Sequence, residues 1–107
     1  MFVAMNRFRI IKGQEEAFEE VWRSRDGRLK GLPGFVEFHL LKGPETEDHV
    51  LYASHTIWNS RADFESWTRS DAFRQAHKNA GQTSGMYIGG PQFEGFEAVP
   101  QIKETAG

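Results

Sequence analysis

The side chains that offer chemistry in this sequence are four histidines, one asparagine in an apolar strand pattern, three tryptophans and an arginine in an apolar helical stripe. The histidines are His39, His49, His55 and His77, and no two have the H-x-H or H-x-x-x-H spacing that puts two imidazoles on one metal. There is no cysteine, so disulfides, zinc ribbons, iron–sulfur clusters and thiol nucleophiles are excluded together. Glycine-rich phosphate loops and a nucleophile elbow are missing as well, which removes support for nucleotide binding and serine-type acyl transfer.

Four positions remain. His77 follows Phe73 and Ala76 at helical spacing. It reads either as a C-terminal histidine that favours the helix dipole when charged, or as a single neutral imidazole serving one axial position on an iron in an apolar slot. Asn6 falls on the apolar side of its strand between Ala4 and Phe8, where an amide must find hydrogen bonds or cost about 1–3 kcal/mol. It is either a satisfied core amide or a donor aimed at a ligand. Trp67 reads first as packing, as do Trp22 and Trp58. Arg25 either snorkels along its aliphatic stem or pairs with a carboxylate at the mouth of a pocket.

The elements that position these residues follow from periodicity. Phe2 to Ile10 alternates with Phe2, Ala4, Phe8 and Ile10 on one face, the pattern of a strand. Phe18, Val21, Trp22, Arg25 and Leu29 follow helical spacing from Glu15 until Gly31, Pro33 and Gly34 end the segment. Phe35 to Lys42 and His49 to Trp58 read as a hairpin around the polar turn Gly43 to Asp48. Ser60-Arg61-Ala62-Asp63 is a capping box that starts a helix near Arg61 carrying Phe64 and Trp67, and Ser70-Asp71 recaps the chain for Ala72 to Asn79. Ala80 to Gly90, rich in glycine, reads as a mobile loop, and Phe93 to Val99 as a last strand. The order βαββαβ predicts an α+β ferredoxin-like fold: an antiparallel sheet with helices on one face, in a single domain over 1–107. Its other face then needs burial, which a homodimer supplies.

Composition agrees with one folded core. The 107 residues carry fourteen aromatic rings against fifteen Leu, Ile and Val, so the core is built largely from flat rings. Thirteen basic and fifteen acidic residues are mixed along the chain, which argues against a nucleic-acid groove or a polybasic membrane patch. No apolar run reaches membrane-spanning length and no basic leader precedes an apolar stretch, so a cytoplasmic protein is the expectation.

Three pieces together carry a resemblance: Asn6-Arg7-Phe8, Pro33-Gly34-Phe35, and the run from Trp67 to Lys78, W-T-R-S-D-A-F-R-Q-A-H-K. The chain resembles the IsdG-type haem-degrading monooxygenases, and among them the rhizobial HmuQ/HmuD-type proteins, from Phe2 to Val99. The resemblance implies a dimeric α+β barrel with haem held between helices and sheet in each subunit. Haem is there both substrate and cofactor, opened with O2 and external electrons to a biliverdin-type linear tetrapyrrole with release of iron. By position, His77 inherits the axial iron ligand, Asn6 the donor to iron-bound oxygen, and Trp67 the residue that presses the macrocycle out of plane. Arg25 falls near the haem edge as a propionate contact, and Phe73 lines the slot with Trp67. Since the chain has no flavin or nicotinamide motif, the resemblance also implies an electron-donating reductase. Two other readings stay open: a non-catalytic haem carrier, and a cofactor-independent monooxygenase of the same fold acting on an organic substrate.

Overall fold

A computed structural model describes residues 1–25, 28–76 and 85–106 of the chain. Alternation in the first segment produces β1 (Phe2–Ile11), in which Phe2, Ala4, Phe8 and Ile10 are all buried. It lies at the centre of a four-stranded sheet of order β2-β3-β1-β4, with β2 at Phe35–Glu45, β3 at His49–Trp58 and β4 at Gln92–Glu97. Every pairing is antiparallel. This is the βαββαβ arrangement read from the sequence, with the second helix in two pieces.

The helices are α1 (Glu15–Arg23), α2 (Arg61–Thr68) and α3 (Asp71–Ala76). Ser60 caps α2 by accepting from the Asp63 amide at 3.1 Å, and Ser70 caps α3 by accepting from the Phe73 amide at 3.2 Å, so each serine starts a helix where the sequence places one. Gly34 stands where φ is +80° and where a Cβ would lie 2.4 Å or less from the Asp63 side chain, so this turn against α2 admits only glycine.

Some expected boundaries move. The helical stripe was read as far as Leu29, but α1 ends at Arg23, where the Ser24 hydroxyl bonds back to the Val21 carbonyl and competes with the helical ladder. Arg25 and Leu29 therefore leave from the segment after the helix. The strand β2 runs on to Glu45 through a register shift after Lys42, which shortens the hairpin turn. The last strand is Gln92–Glu97 and stops two residues short of Val99. The expected mobile loop falls partly outside the described residues, at 80–84. Its later part is anchored: Tyr87 bridges to Ile10, the Ile88 amide donates to the Arg9 carbonyl at 2.8 Å, and Met86 and Tyr87 pack on the core.

The inner sheet face carries two separate apolar clusters. One joins Phe8, Ile10, Phe18, Val50 and Tyr52, with Trp22, Leu40, Met86 and Tyr87 against them. The other joins Phe2, Ala4 and Trp58, with Leu32, Phe35, Phe64 and Trp67. On the outer face, Leu41, Phe96 and Ile11 are exposed, and Arg7 pairs with Glu94.

Candidate active site

What separates the two clusters is a break in the apolar alternation. Along β3 the inward positions are Val50, Tyr52, Ser54, Thr56 and Trp58, and on β1 they are Phe2, Ala4, Asn6, Phe8 and Ile10. Ser54 lies directly opposite Asn6, and Thr56 opposite Ala4. Three polar groups thus occupy the middle of an otherwise apolar face. Ser54 and Thr56 are buried and Asn6 is half-buried, yet none of their side-chain polar atoms is sealed away without a partner, so all three open onto a space rather than onto packing. None of the three makes a side-chain hydrogen bond among the described residues. Such a strip is hard to explain as packing and easy to explain as the floor of a ligand chamber.

A chamber of about 670 Å³ lies over it. Its floor is Ala4, Asn6, Ser54 and Thr56. One wall is aromatic and comes from α2, α3 and β4. Trp67 meets Phe73 edge-on at 4.9 Å, Trp67 leans on Trp58 at 5.3 Å, and Phe64 stacks on Phe93 at 5.7 Å with 9° between the rings. The opposite wall is the Trp22–Phe38 stack, 5.4 Å apart at 22°, from α1 and β2. Two walls of flat rings bounding one space suit a large planar ligand.

The rim is cationic. Arg25, Arg28 and Lys30 line it, with Glu37 as the one carboxylate among the lining residues. The Arg25 guanidinium lies 5.2 Å from the centre of the Trp22 ring. Burial lowers its pKa from the ordinary arginine value, and the neighbouring Arg28 lowers it further. None of the three cations forms an ion pair with a carboxylate among the described residues. A ligand that brings its own carboxylates would satisfy them.

Four of the five residues singled out from the sequence therefore line one chamber: Asn6, Trp67, Arg25 and Phe73. The fifth, His77, lies outside the described residues, immediately after α3. Trp22 packs against the core, as its spacing predicts, and is a chamber wall as well. Sequence reasoning missed Ser54, Thr56, Phe38, Phe93, Arg28 and Lys30. For Ser54 and Thr56 the signal was available, because both sit at inward positions of a strand whose other inward residues are Val, Tyr and Trp. Among the described residues no group of three or more His, Asp or Glu side chains is arranged to hold a metal ion.

Comparison with known proteins agrees with this geometry. Residues 1–79 match the family described as antibiotic biosynthesis monooxygenase. The chain is 34% identical over 84 residues to a haem oxygenase (staphylobilin-producing) of Staphylococcus haemolyticus, covering 78% of this chain and 80% of that protein. It is 32% identical over 81 residues to a haem-degrading monooxygenase of Bacillus cereus, covering 76% and 75%. Among solved structures it superposes on the haem degrader MhuD of Mycobacterium tuberculosis, determined with two haems in its active site. There the TM-score is 0.71 at 26% identity, covering 96% of this chain and all of the other.

Proposed function

The chain belongs to the antibiotic biosynthesis monooxygenase family, and we propose that it is the haem-degrading kind of that family. The observation that carries this reading is the chamber, with a hydrogen-bonding floor, two walls of aromatic rings and a cationic rim. Haem is a flat macrocycle with a polar axis at its metal and two carboxylates at one edge, so each surface of the chamber has a counterpart on it. When bound, haem supplies both the iron centre that activates dioxygen and the ring that is opened.

The chain's own residues divide the work. Trp67, backed by Trp58 and braced edge-on by Phe73, presses on the ring face and favours a bent macrocycle over a flat one. Asn6 donates from its amide into the space above the ring, stabilising negative charge as it develops there. Arg25, with Arg28 and Lys30, holds the carboxylate edge at the rim and fixes the orientation of the ring. His77 is proposed as the axial ligand through one neutral ring nitrogen. Electrons come from an external reductase.

A homodimer belongs to the same reading: the outer sheet face, with Leu41, Phe96 and Ile11 exposed, is the surface a second copy would bury. We place the chain in the cytoplasm as a single domain. Among the described residues no helix is long and apolar enough to cross a membrane.

The test is turnover. Hemin-loaded protein given a reductant and O2 is expected to lose its Soret band, yield a linear tetrapyrrole and release iron to a chelator. The mass of the extracted product separates a biliverdin-type tetrapyrrole from the staphylobilin for which one relative is named. A Soret band that persists over many turnover times, with no tetrapyrrole and no chelated iron, would instead make this protein a haem carrier. If the hemin spectrum of His77→Ala matches that of wild type, the axial ligand is another residue.

A further inference from the structure

We infer that the chamber floor contains a built site for one water molecule, formed by the Ser54 hydroxyl, the Thr56 hydroxyl and the Asn6 side-chain amide. In this arrangement Ser54 is a positioning residue that orients Asn6 through that water. The consequence for haem turnover rests on the reading above; the water site itself does not.

Burial and register carry the inference. Ser54 is 5% exposed and Thr56 is 9% exposed, and they are the two buried polar side chains among the described residues. Neither hydroxyl oxygen is sealed within packing, and both residues line the chamber. Cross-strand partners hold their Cβ atoms about 4.5–5.5 Å apart, so Ser54 and Asn6 are neighbours on the floor. They nevertheless make no side-chain hydrogen bond to each other, and Thr56 makes none to either. Thr56 is the next inward position along β3 from Ser54, diagonal to Asn6, and its own partners along that row are Phe38 on one side and Ala4 on the other. Ala4 in turn faces Gly95, so that row has little bulk on the β1 side.

The fence around this patch is apolar. Leu40 is the partner of Ser54 on β2, and Phe93 is the partner of Asn6 on β4. The polar groups are confined to two residues in the width of the sheet. A buried water needs two to four polar partners and a cavity of about 10–15 Å³. Three such groups stand side by side on the floor, and the chamber above them is far larger. Two hydroxyls that each donate and accept, beside an amide that does both, satisfy a water in either orientation. With its carbonyl oxygen engaged by that water, the Asn6 amide turns its N–H groups toward the ligand.

A high-resolution crystal structure of the protein without hemin tests the site. An ordered water within hydrogen-bond distance of Ser54 Oγ and of Asn6 or Thr56 is expected, lost in Ser54→Ala and kept in Ser54→Thr. Wild-type protein with no such water overturns the inference. The positioning role is read from the C–O stretching frequency of the hemin-loaded, reduced, carbon monoxide complex. Asn6→Ala should shift it, Ser54→Ala should shift it in the same direction by less, and Ser54→Thr should restore it. A frequency that moves in Asn6→Ala but not in Ser54→Ala overturns the positioning role. Should wild-type protein fail to take up hemin, the haem reading falls on its own, and the crystallographic water still decides the site.

Discussion

One end of the inner sheet face and its middle use the same residue class to opposite ends. Toward Ile10 and Val50, rings close on one another: Phe18 sits 5.1 Å from Tyr52 and 5.3 Å from Phe8, and Ile10 is fully buried. The polar group there is the Tyr52 hydroxyl, and it donates to the Glu19 carboxylate at 2.5 Å. Toward the middle of the sheet the rings stand apart, the floor turns polar and its hydroxyls go unmatched within the described residues. The closed end, like the cluster of Phe2, Ala4 and Trp58 beyond the polar strip, holds the domain together, and the middle keeps a space that packing would otherwise fill. The difference lies in single residues at inward positions, Tyr52 against Ser54 on one strand and Phe8 against Asn6 on its neighbour.

The largest effect that would break this comparison is on stability. Phe18→Ala should lower unfolding free energy by about 3–5 kcal/mol, the usual cost of removing a buried ring, as read from urea denaturation. Trp67→Ala should cost less, about 2 kcal/mol, because one side of its ring faces the chamber, while weakening hemin binding more than any closed-end substitution does. Equal losses of stability from the two would mean that the chamber wall is ordinary core.

A pH series sharpens the contrast at the closed end. Burial first, and then the hydrogen bond to Glu19, raise the Tyr52 pKa above its ordinary value. The folded state therefore holds that proton more tightly than the unfolded chain does. The resulting stability is fully present below the unfolded tyrosine value of about 10 and is lost as pH rises beyond it toward the raised folded value. Denaturation midpoints in wild type should fall as pH rises above about 10, and fall less in Tyr52→Phe. The smallest effect belongs to the rim: Arg25→Ala should weaken hemin binding about threefold to tenfold and reduce its sensitivity to salt. An unchanged salt dependence would remove Arg25 from the carboxylate contact.

Much of this was legible in the sequence where one physical signal dominated. Alternation gave β1 and β3, Ser60 and Ser70 gave the helix starts, and an amide among apolar neighbours marked Asn6. Helix ends were less legible, because the apolar stripe continues through Arg25 and Leu29 while the Ser24 hydroxyl diverts the backbone at the end of α1. The chamber was only half visible. Trp22 and Phe93 are indistinguishable from core residues by type, and only the register of β2, β3, β1 and β4 shows which rings pack together and which face one another across a gap. Arg28 and Lys30 carry no periodic signal, since they sit in the segment between α1 and β2.

The central claim, that the polar-floored chamber is the ligand site, is tested most directly by filling it. Thr56→Phe places a ring on the floor at a strand position that accepts aromatic residues. A hemin titration followed at the Soret band should show binding in wild type and an affinity at least roughly tenfold lower in the folded variant, the steric cost of a blocked site. An unchanged hemin affinity in a folded Thr56→Phe protein would contradict the claim.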